Sequence, residues 1–340
     1  MVLGLWLQLA GATLLIVGGA HYLTRSADII AVRTGLGHSF IGVILLATAT
    51  SLPELGTGVS AIALYDATDL AMGAAFGSNL FNLLIITLLD MSWRRGPILS
   101  AVSGTALLVA GLGILIIALG SAAVLLHHEN LLPGSWRLSP ASFVVLGVFL
   151  AAMYLVYRHE HPAGNKRVSR PKRAGNGMSL AQACWRFVAA AAVVIGGAIW
   201  LSRTGDLLVQ KLGWEASFVG TQFLALCTSL PEVATSFAAL RMGALDLAIT
   251  NVLGSNLFNM GFVLFANDAV YGNGAIWSDI SQIHAFTGGI AIIMTSVVII
   301  GLMKKPARDP SRPARSYGTF ETFMLIALYV AASVTVFYAG

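Results

Sequence analysis

Ten long stretches of apolar residues constrain what this chain can fold into more than any other feature of the sequence. Each is close to the roughly 20 residues that a helix needs to cross a hydrocarbon core about 30 Å thick. Hydrophobic residues make up 57% of the 340-residue chain and charged residues only 10%, which is typical of membrane proteins. The ten stretches are residues 2–23, 40–65, 70–90, 98–122, 140–157, 180–201, 218–240, 245–266, 283–303 and 317–338.

The apolar stretches are continuous rather than alternating, which favours membrane-spanning helices over barrel strands. The predicted fold class is therefore an all-α polytopic membrane protein with ten transmembrane helices. The first stretch has no basic leader and no small-residue cleavage site, so we expect it to be retained as a span. The two cysteines, Cys184 and Cys227, lie in apolar surroundings and indicate neither a disulfide framework nor a metal site.

Lysine and arginine are distributed unevenly between the two sets of loops. With the N-terminus outside, only Arg137, Arg203 and Lys211 of the 20 basic residues fall on the outer side, and all the others fall inside. Because inner loops carry the excess of basic residues, both termini are predicted to lie outside. A prokaryotic inner (plasma) membrane is the expected location. The same topology explains the net charge of +5, so no nucleic-acid partner is predicted.

The two halves of the sequence are similar segment by segment. The segments LTRSAD at 23–28, SFIG at 39–42 and TSLPEL at 50–55 return with one common offset as LSRTGD at 201–206, SFVG at 217–220 and TSLPEV at 228–233. The segment GSNLFN at 77–82 returns at 254–259, where the offset is shorter by one position. This self-similarity predicts an internal repeat.

The offset between the repeats spans five predicted helices, an odd number. Equivalent segments should therefore cross the membrane in opposite directions, as in many secondary transporters, whose substrate site lies at the midplane between the halves. We predict two inverted five-helix repeats, residues 1–157 and 180–340, joined by a basic cytoplasmic linker, residues 158–179.

Glu54 and Glu232 are the two acidic residues that lie deep inside predicted spans. The others among the 15 acidic residues lie in loops or near span ends, including Asp90 and Asp268, while Glu321 is one turn into the last span. A charged side chain at the centre of a membrane helix costs about 2.5–3.5 kcal/mol and is functional by default. Both glutamates occupy the same place in a TSLPE segment, which predicts one shared site.

A proline precedes each of these glutamates. Pro53 and Pro231 have no N–H, and their rings clash with the carbonyl four residues earlier, so each span should kink or break there. We expect neighbouring carbonyls to leave the helical ladder and to face a cavity. These carbonyls are those near Ala47, Ala49, Ala225 and Cys227. The neighbouring hydroxyl side chains, at helical spacings from the glutamates, are Thr50, Ser51, Thr228 and Ser229.

The GSNLFN segments add further oxygen atoms. Ser78 and Asn82 are four residues apart on one helix face, and Ser255 and Asn259 repeat that spacing. Hydroxyl, amide, carboxylate and carbonyl oxygens suit hard cations such as Ca²⁺ or Na⁺ rather than zinc or copper. The alternative for the two asparagines is a hydrogen bond between helices. Small residues four apart, 73 and 77, predict a close approach of helices.

These paired motifs resemble the two alpha-repeats of the cation/Ca²⁺ exchanger superfamily, nearest its microbial sodium/calcium exchanger branch. The resemblance is specific in residues 40–83 and 218–260, and its topology of five spans plus five covers the whole chain. It implies that Glu54 and Glu232 coordinate the central cation. It also implies a set of further ligands: Thr50, Ser51, Thr228, Ser229, Ser78, Ser255, Asn82, Asn259 and the carbonyls of Ala47 and Ala225.

The chain departs from the family pattern in three places. Asn259 stands where members often carry Asp, so a third carboxylate is missing. Ala49 and Cys227 replace the usual glycine before the Thr-Ser pair. The Gly-Asn pair that often precedes GSN is Gly-Ala at 73–74 and Thr-Asn at 250–251. These departures leave the fold prediction intact and leave the ion identity and stoichiometry open.

The predicted function is secondary antiport, in which Na⁺ and Ca²⁺ compete for one midplane site by alternating access. The alternative is a cation/H⁺ exchanger or an exchanger for another cation, with H⁺ or K⁺ as coupling ion. We predict no enzymatic activity and no cofactor. The predicted partners are the transported cations and the lipid bilayer, and the protein is expected to act as a monomer.

Other classes of function have weaker support in the sequence. An intramembrane hydrolase using Ser51 or Ser229 has no histidine in the relevant spans. A passive channel is a further alternative, distinguished by flux that does not depend on a counter-ion. The sequence contains no P-loop, which argues against ATP-driven pumping by this chain. The segment His127–His128–Glu129 lacks a fourth metal ligand.

Overall fold

The structure is a computed structural model that describes residues 2–34, 47–93, 96–102, 104–132, 135–160, 178–304 and 319–339. Every regular element within these ranges is a helix. The α-helices are α1 (Val2–Thr34), α2 (Ala47–Thr50), α3 (Leu52–Tyr65), α4 (Thr68–Ser92), α5 (Gly104–His128), α6 (Pro140–Glu160), α7 (Leu180–Leu212), α8 (Ala216–Val219), α9 (Ala225–Thr228), α10 (Leu230–Arg241), α11 (Leu245–Phe258), α12 (Leu264–Val270), α13 (Ile283–Met303) and α14 (Phe320–Ala339). Two π-helical segments, Gly220–Leu224 and Asn259–Val263, and two short 3₁₀ turns, Leu99–Ala101 and Ile276–Ser278, join some of them.

Eight helical runs among the described residues are long and apolar enough to cross a membrane, and nine if α8–α9 and α10 form one bent span. One of the eight is the continuous run of α11, its π segment and α12. The predicted span at 40–65 begins outside the described residues, and α2 and α3 cover its remainder. The all-helical fold is confirmed, whereas the number of ten spans stays a prediction.

Two helices are longer than their apolar stretches. α1 continues to Thr34 and α7 to Leu212, well past residues 23 and 201. A helix satisfies its backbone internally, so it does not have to stop where its side chains become polar. α7 has the expected end signals: Ser179 forms a capping box, and Gly213 adopts a left-handed conformation with φ 65°.

Two helical runs form the centre of the bundle. In α4 and in the run Leu245–Val270, 89% of the most apolar window is buried, against 22–44% in the other spans. The predicted close approach at residues 73 and 77 is confirmed. A Cβ atom on Gly73 would lie 2.7 Å from the Ser217 carbonyl oxygen, and one on Gly77 would overlap the Thr221 backbone. These glycines let α4 lie directly against the first π segment.

α1 and α7, which begin the two halves, pack against each other in opposite directions. A Cβ atom on Gly19 would lie 2.8 Å from Val194, and one on Gly197 would lie 2.9 Å from Ile16. The contacts are reciprocal, because the offset that relates the TSLPE segments also relates Gly19 to Gly197 and Ile16 to Val194. Since a higher number in α1 contacts a lower number in α7, the two helices are antiparallel.

The outer helices present large apolar side chains on their outer surface. Leu14 is 73% exposed, Val188 56% and Val334 51%. Exposed aliphatic side chains spread along whole helices are what a bilayer solvates. This surface fits the interpretation of the chain as an integral membrane protein.

Candidate functional site

The two TSLPE segments break their helices in the same way. Ser51 lies between α2 and α3 with φ −90° and ψ 7°, and Ser229 lies between α9 and α10 with φ −88° and ψ 4°. Pro53 and Pro231 fall in the first turn of the helix that follows, where a missing N–H is tolerated. In the second half the two helical pieces meet at 41°. The predicted breaks are confirmed at both prolines.

Each break places a glutamate at a helix N-terminus in the interior of the protein. Glu54 lies in the first turn of α3 and Glu232 in the first turn of α10, where the helix dipole favours a negative charge. Their exposed fractions are 1% and 0%. Two carboxylates buried this completely need hydrogen bonds and a counter-charge.

The hydrogen bonds of the two glutamates cross between the halves. The Ser229 hydroxyl donates to Glu54 Oε1 over 3.0 Å, and the Ser51 hydroxyl donates to Glu232 Oε1 over 3.3 Å. Glu232 Oε1 also accepts from the Ser255 hydroxyl at 3.1 Å. Each carboxylate is therefore bonded by the serine of the opposite TSLPE segment.

The remaining predicted hydroxyls lie around the same two carboxylates. The Thr228 and Ser78 hydroxyls lie near the Glu54 carboxylate, and the Thr50 hydroxyl lies near the Glu232 carboxylate. The Thr50 and Ser255 hydroxyls are 3.5 Å apart. All six predicted hydroxyl side chains thus gather at one place, which is where helices α3, α4, α10 and α11 meet.

Three buried oxygens in this cluster have no hydrogen-bond partner among the described residues. They are Oε2 of Glu54, Oε2 of Glu232 and the Ser78 hydroxyl. The ion pairs of the described residues also include neither glutamate. A buried carboxylate oxygen without donor or counter-ion is strongly unfavourable, so this donor set fits a cation as the missing partner.

The two predicted asparagine ligands behave differently. Asn82 donates from Nδ2 to Asn256 Oδ1 at 2.9 Å, while its own Oδ1 has no donor among the described residues. Neither side-chain atom of Asn259 has a partner in the described part of the chain. The alternative of a hydrogen bond between helices is therefore correct for the amide nitrogen of Asn82, and its oxygen is left for another partner.

The expectation that the Ala47 and Ala225 carbonyls leave the helical ladder is wrong. The Ala47 carbonyl accepts the Ser51 N–H at 2.9 Å and the Thr50 hydroxyl at 3.2 Å. The Ala225 carbonyl accepts the equivalent pair, at 3.0 and 3.3 Å. The helices break at Ser51 and Ser229, and the N–H groups of these serines still donate to the carbonyls four residues earlier. Proline removes the donor only for Ala49 and Cys227.

The sequence profile of one protein family matches nearly the whole chain. This family is described as "Sodium/calcium exchanger protein", and its profile matches residues 4–159 and 182–338, which contain both TSLPE and both GSNLFN segments. The chain belongs to this family. It is thus a member of a family of membrane ion transporters, as the paired motifs predicted.

Named relatives of this exchanger come from bacteria and archaea. The inner membrane protein YrbG of Escherichia coli (strain K12) is 28% identical over 260 residues, which is 74% of this chain and 75% of YrbG. The sodium/calcium exchanger MaX1 of Methanosarcina acetivorans is 26% identical over 293 residues, 75% of this chain and 80% of MaX1.

Two solved structures have the same fold, and one of them is of a sodium–calcium exchanger. The sodium–calcium exchanger NCX_Mj superposes with a TM-score of 0.63 at 19% identity, covering 98% of this chain and 99% of NCX_Mj. Native YfkE superposes with a TM-score of 0.65 at 18% identity, covering 97% and 91%. At such identities the likeness concerns the fold.

Asp90, which the sequence placed at a span end, is a buried residue of the exchanger. It lies in the last turn of α4 and is 6% exposed. Its Oδ1 accepts a hydrogen bond from the Ile98 N–H at 2.8 Å. Its Oδ2 accepts the Thr322 hydroxyl of α14 at 2.5 Å and lies 3.5 Å from the Thr319 hydroxyl. The carboxylate therefore ties the end of α4 to the start of α14.

Asp268 forms the same arrangement at the other end of the bundle core. It is fully buried in α12 and accepts the Ile276 N–H on Oδ1 at 2.8 Å. Its Oδ2 accepts the Ser142 hydroxyl of α6 at 2.5 Å and the Ser139 N–H at 2.9 Å. Each aspartate thus holds the first turn of the last helix of the other half.

A sequence signal for this pair existed. The offset that relates the two TSLPE segments also relates Asp90 to Asp268 and Ile98 to Ile276. The chain from Gly254 to Asp268 is, however, one residue longer than the chain from Gly77 to Asp90. The extra residue falls in the π segment Asn259–Val263, where α4 has none.

Two other sequence expectations concern residues at the helix ends. Glu321, which the sequence placed one turn into the last span, is buried and forms an ion pair with Lys304, because the end of α13 lies beside the start of α14. The two ring nitrogens of His127 contact the hydroxyls of Ser278 and Ser139, at 3.1 and 2.8 Å. The imidazole is thus fully used, and no cluster of three or more potential metal ligands occurs in the described ranges.

Proposed function

We propose that the protein exchanges Ca²⁺ for Na⁺ across the membrane by alternating access at the site built around Glu54 and Glu232. The observation that carries this proposal is the crossed pair of serine–carboxylate hydrogen bonds, which leaves one oxygen of each glutamate without a donor among the described residues. Those oxygens belong to opposite halves of the chain. A cation between them would be held by both halves at once.

The charge of the site explains how two ions become coupled. Two carboxylates are neutralised by one Ca²⁺, two Na⁺ or two protons, and each loaded form can be enclosed without a large desolvation penalty. The empty site carries two buried negative charges, and that form resists enclosure. The carrier should therefore change its access only when loaded, which makes the inward flow of one ion drive the outward flow of the other.

The proposed ligands divide by chemistry. Glu54 and Glu232 supply the charge, and the amide oxygens of Asn82 and Asn259 supply neutral coordination. The surrounding hydroxyls complete an oxygen-only set of the kind that Ca²⁺ takes with six to eight ligands. These hydroxyls are those of Thr50, Ser51, Ser78, Thr228, Ser229 and Ser255. The Ala47 and Ala225 carbonyls are left out of the set, because two donors already occupy each.

The proposed architecture behind this mechanism is a pair of inverted five-helix repeats, residues 1–157 and 180–340, acting as a monomer with both termini outside. The antiparallel, reciprocal packing of α1 and α7 supports the inversion. The matching environments of Asp90 and Asp268 support it independently. The linker at 158–179 lies mostly outside the described residues.

A cation/H⁺ exchanger is the second candidate, and one observation favours it. With Asn82 and Asn259 both neutral, the site holds two carboxylates and no third charge among the described residues, so two protons balance it as well as two Na⁺ do. A family with Na⁺ and Ca²⁺ in its description makes Na⁺ the first choice.

The test is flux into proteoliposomes that contain the purified protein. An outward Na⁺ gradient should drive ⁴⁵Ca²⁺ uptake, and Glu54→Gln or Glu232→Gln should remove it. Glu129→Gln is the matched control, because Glu129 is an exposed residue outside the site. Uptake that persists in both site variants would refute the proposal. Uptake driven by a proton gradient without Na⁺ would decide for the second candidate.

A further inference from the structure

Asn82 and Asn256 form the one side-chain amide pair that bridges the two central helices close to both glutamates in the described structure. Asn82 Nδ2 donates to Asn256 Oδ1 at 2.9 Å, and Asn256 Nδ2 donates to the Asn79 carbonyl at 3.4 Å. Both side chains are buried, at 0% and 3% exposure. Asn256 is thus held at both ends of its amide and faces α4 in a fixed orientation.

The pair lies one turn or less from the proposed cation ligands. Asn82 lies one helical turn after Ser78, which faces Glu54, and Asn256 follows Ser255, which donates to Glu232. The bond therefore connects the Glu54 side of the site to the Glu232 side.

A side-chain amide has a donor end and an acceptor end, and only the oxygen can coordinate a cation. Rotation by half a turn would exchange them and point two N–H groups at the ion. Because Asn256 Oδ1 takes the NH₂ group of Asn82, the oxygen of Asn82 must point the other way. That oxygen is buried and has no donor among the described residues.

The equivalent pair in the other half is absent from the described structure. The offset that relates the two GSNLFN segments relates Asn79 to Asn256 and Asn82 to Asn259, so symmetry would join Asn259 to Asn79. Neither side chain has a hydrogen-bond partner within the described ranges. Asn259 is the first residue of the π segment, whereas Asn82 lies in regular helix. The side chain that lacks the pairing is thus the one at which the π segment begins.

We infer that Asn256 is a positioning residue, which holds the amide oxygen of Asn82 toward the transported cation without binding the cation itself. The inference rests on the proposed function, since it assumes that Asn82 is a ligand. Its consequence is that the two amide ligands are unequal: a hydrogen bond presets Asn82 for the ion, and no hydrogen bond of the described residues fixes the amide of Asn259.

The experiment is a double-mutant cycle in proteoliposomes with Asn82→Ala, Asn256→Ala and the double variant. All of these variants keep the net charge of the site. The measured quantity is the Ca²⁺ concentration that gives half-maximal Na⁺-driven ⁴⁵Ca²⁺ uptake. Asn256→Ala should raise this concentration about five- to tenfold, in line with the loss of one hydrogen bond near an ion. In the Asn82→Ala background, the same change should have almost no further effect.

Asn267→Ala serves as the matched control. Asn267 is a fully buried asparagine of the same helical run, and its amide contacts Met72 Sδ at 3.8 Å rather than a site residue. It should change the half-maximal concentration by less than about twofold, within the usual range for distant sites. Thermal unfolding of each variant in detergent identifies any that is merely misfolded.

The outcomes separate the two ideas. If Asn256→Ala weakens Ca²⁺ dependence by the same factor with and without Asn82, the residue acts independently of Asn82 and the positioning role is wrong. If Asn256→Ala has no effect in the wild-type background, the inference is also wrong. If the wild-type protein itself shows no Na⁺-driven Ca²⁺ uptake, the proposed function fails, whatever the cycle gives.

Discussion

The first and second halves of this exchanger carry the same two motifs but use them differently. In the first half α4 is regular from Thr68 to Ser92, whereas in the second half the π segment Asn259–Val263 interrupts the equivalent run. Within the described structure, the Asn82 side chain is hydrogen-bonded and that of Asn259 is not. Glu54 accepts one serine hydroxyl, and Glu232 accepts two.

This difference shows that a duplicated motif does not make a symmetric site. One extra residue is enough to turn the helix that follows by about a quarter turn or more, since each residue advances an α-helix by about 100°. π turns of this kind occur frequently at functional sites. A site with unequal halves can present a different ligand set to an ion that arrives from each side.

The largest effect is expected for the two glutamates, at which we expect the two halves to contribute equally to transport. Glu54→Gln and Glu232→Gln each remove one of two buried charges, and loss of one charge partner in a buried pair costs about 3–5 kcal/mol. Each variant should lower Na⁺-driven Ca²⁺ uptake by about a hundredfold or more, to a similar extent. A large difference between the two would mean that one glutamate alone binds the cation.

A second test concerns the two buried aspartates, Asp90 and Asp268, which we expect to contribute similar amounts to the stability of the protein. Asp90→Asn and Asp268→Asn each replace an acceptor oxygen by a donor facing N–H or O–H groups. Hydrogen bonds to charged groups contribute about 1.5–3 kcal/mol each. Both variants should lose several degrees of melting temperature in detergent. Asp268→Asn should lose slightly more, because two short hydrogen bonds reach Oδ2 of Asp268 and only one reaches Oδ2 of Asp90 among the described residues.

The control for this pair is an aspartate with an exposed side chain at a chain turn, Asp66→Asn. It should melt like the wild-type protein. If Asp90→Asn and Asp268→Asn also melt like the wild-type protein, the two carboxylates do not stabilise the packing of α14 and α6, and their matching hydrogen bonds do not contribute to stability.

The third test breaks the symmetry of the two asparagines. Asn82→Asp places a carboxylate against Asn256 Oδ1, two acceptors with no hydrogen between them, and should weaken Ca²⁺ dependence about tenfold. Asn259→Asp loses no hydrogen bond of the described structure and adds a third carboxylate, which Ca²⁺ favours. It should strengthen Ca²⁺ dependence. Dose–response curves for Ca²⁺ uptake measure both, and a shift in the same direction for the two variants would contradict the comparison.

The sequence was sufficient for the features that depend on composition and local chemistry. Apolar stretches predicted the helices, and the rarity of a deep carboxylate singled out Glu54 and Glu232. Proline chemistry predicted the breaks at Ser51 and Ser229, which the structure confirms.

The features that the sequence did not predict depend on how helices face each other. The role of Asn256 requires knowing that α11 lies against α4. The burial of Asp90 requires the first turn of α14, which is near the opposite end of the chain. For the Ala47 and Ala225 carbonyls the sequence predicted a loss of hydrogen bonds that does not occur. The exact residue at which the helix breaks decides which carbonyl loses its donor, and the sequence does not specify that residue.

The smallest expected effect concerns the serines that cross between the halves. Ser229→Ala removes the single hydroxyl hydrogen bond that Glu54 accepts in the described structure, whereas Ser51→Ala leaves Glu232 with its bond from Ser255. We expect Ser229→Ala to raise the half-maximal Ca²⁺ concentration about tenfold and Ser51→Ala about threefold, because a hydrogen bond to a charged group is worth about 1.5–3 kcal/mol and a remaining donor offsets part of it. The double variant Ser51→Ala/Ser255→Ala should then approach Ser229→Ala. Equal effects of the two single variants would show that the Ser255 hydroxyl does not compensate for the loss of Ser51 at Glu232. The two carboxylates would then be stabilised to the same extent in both halves.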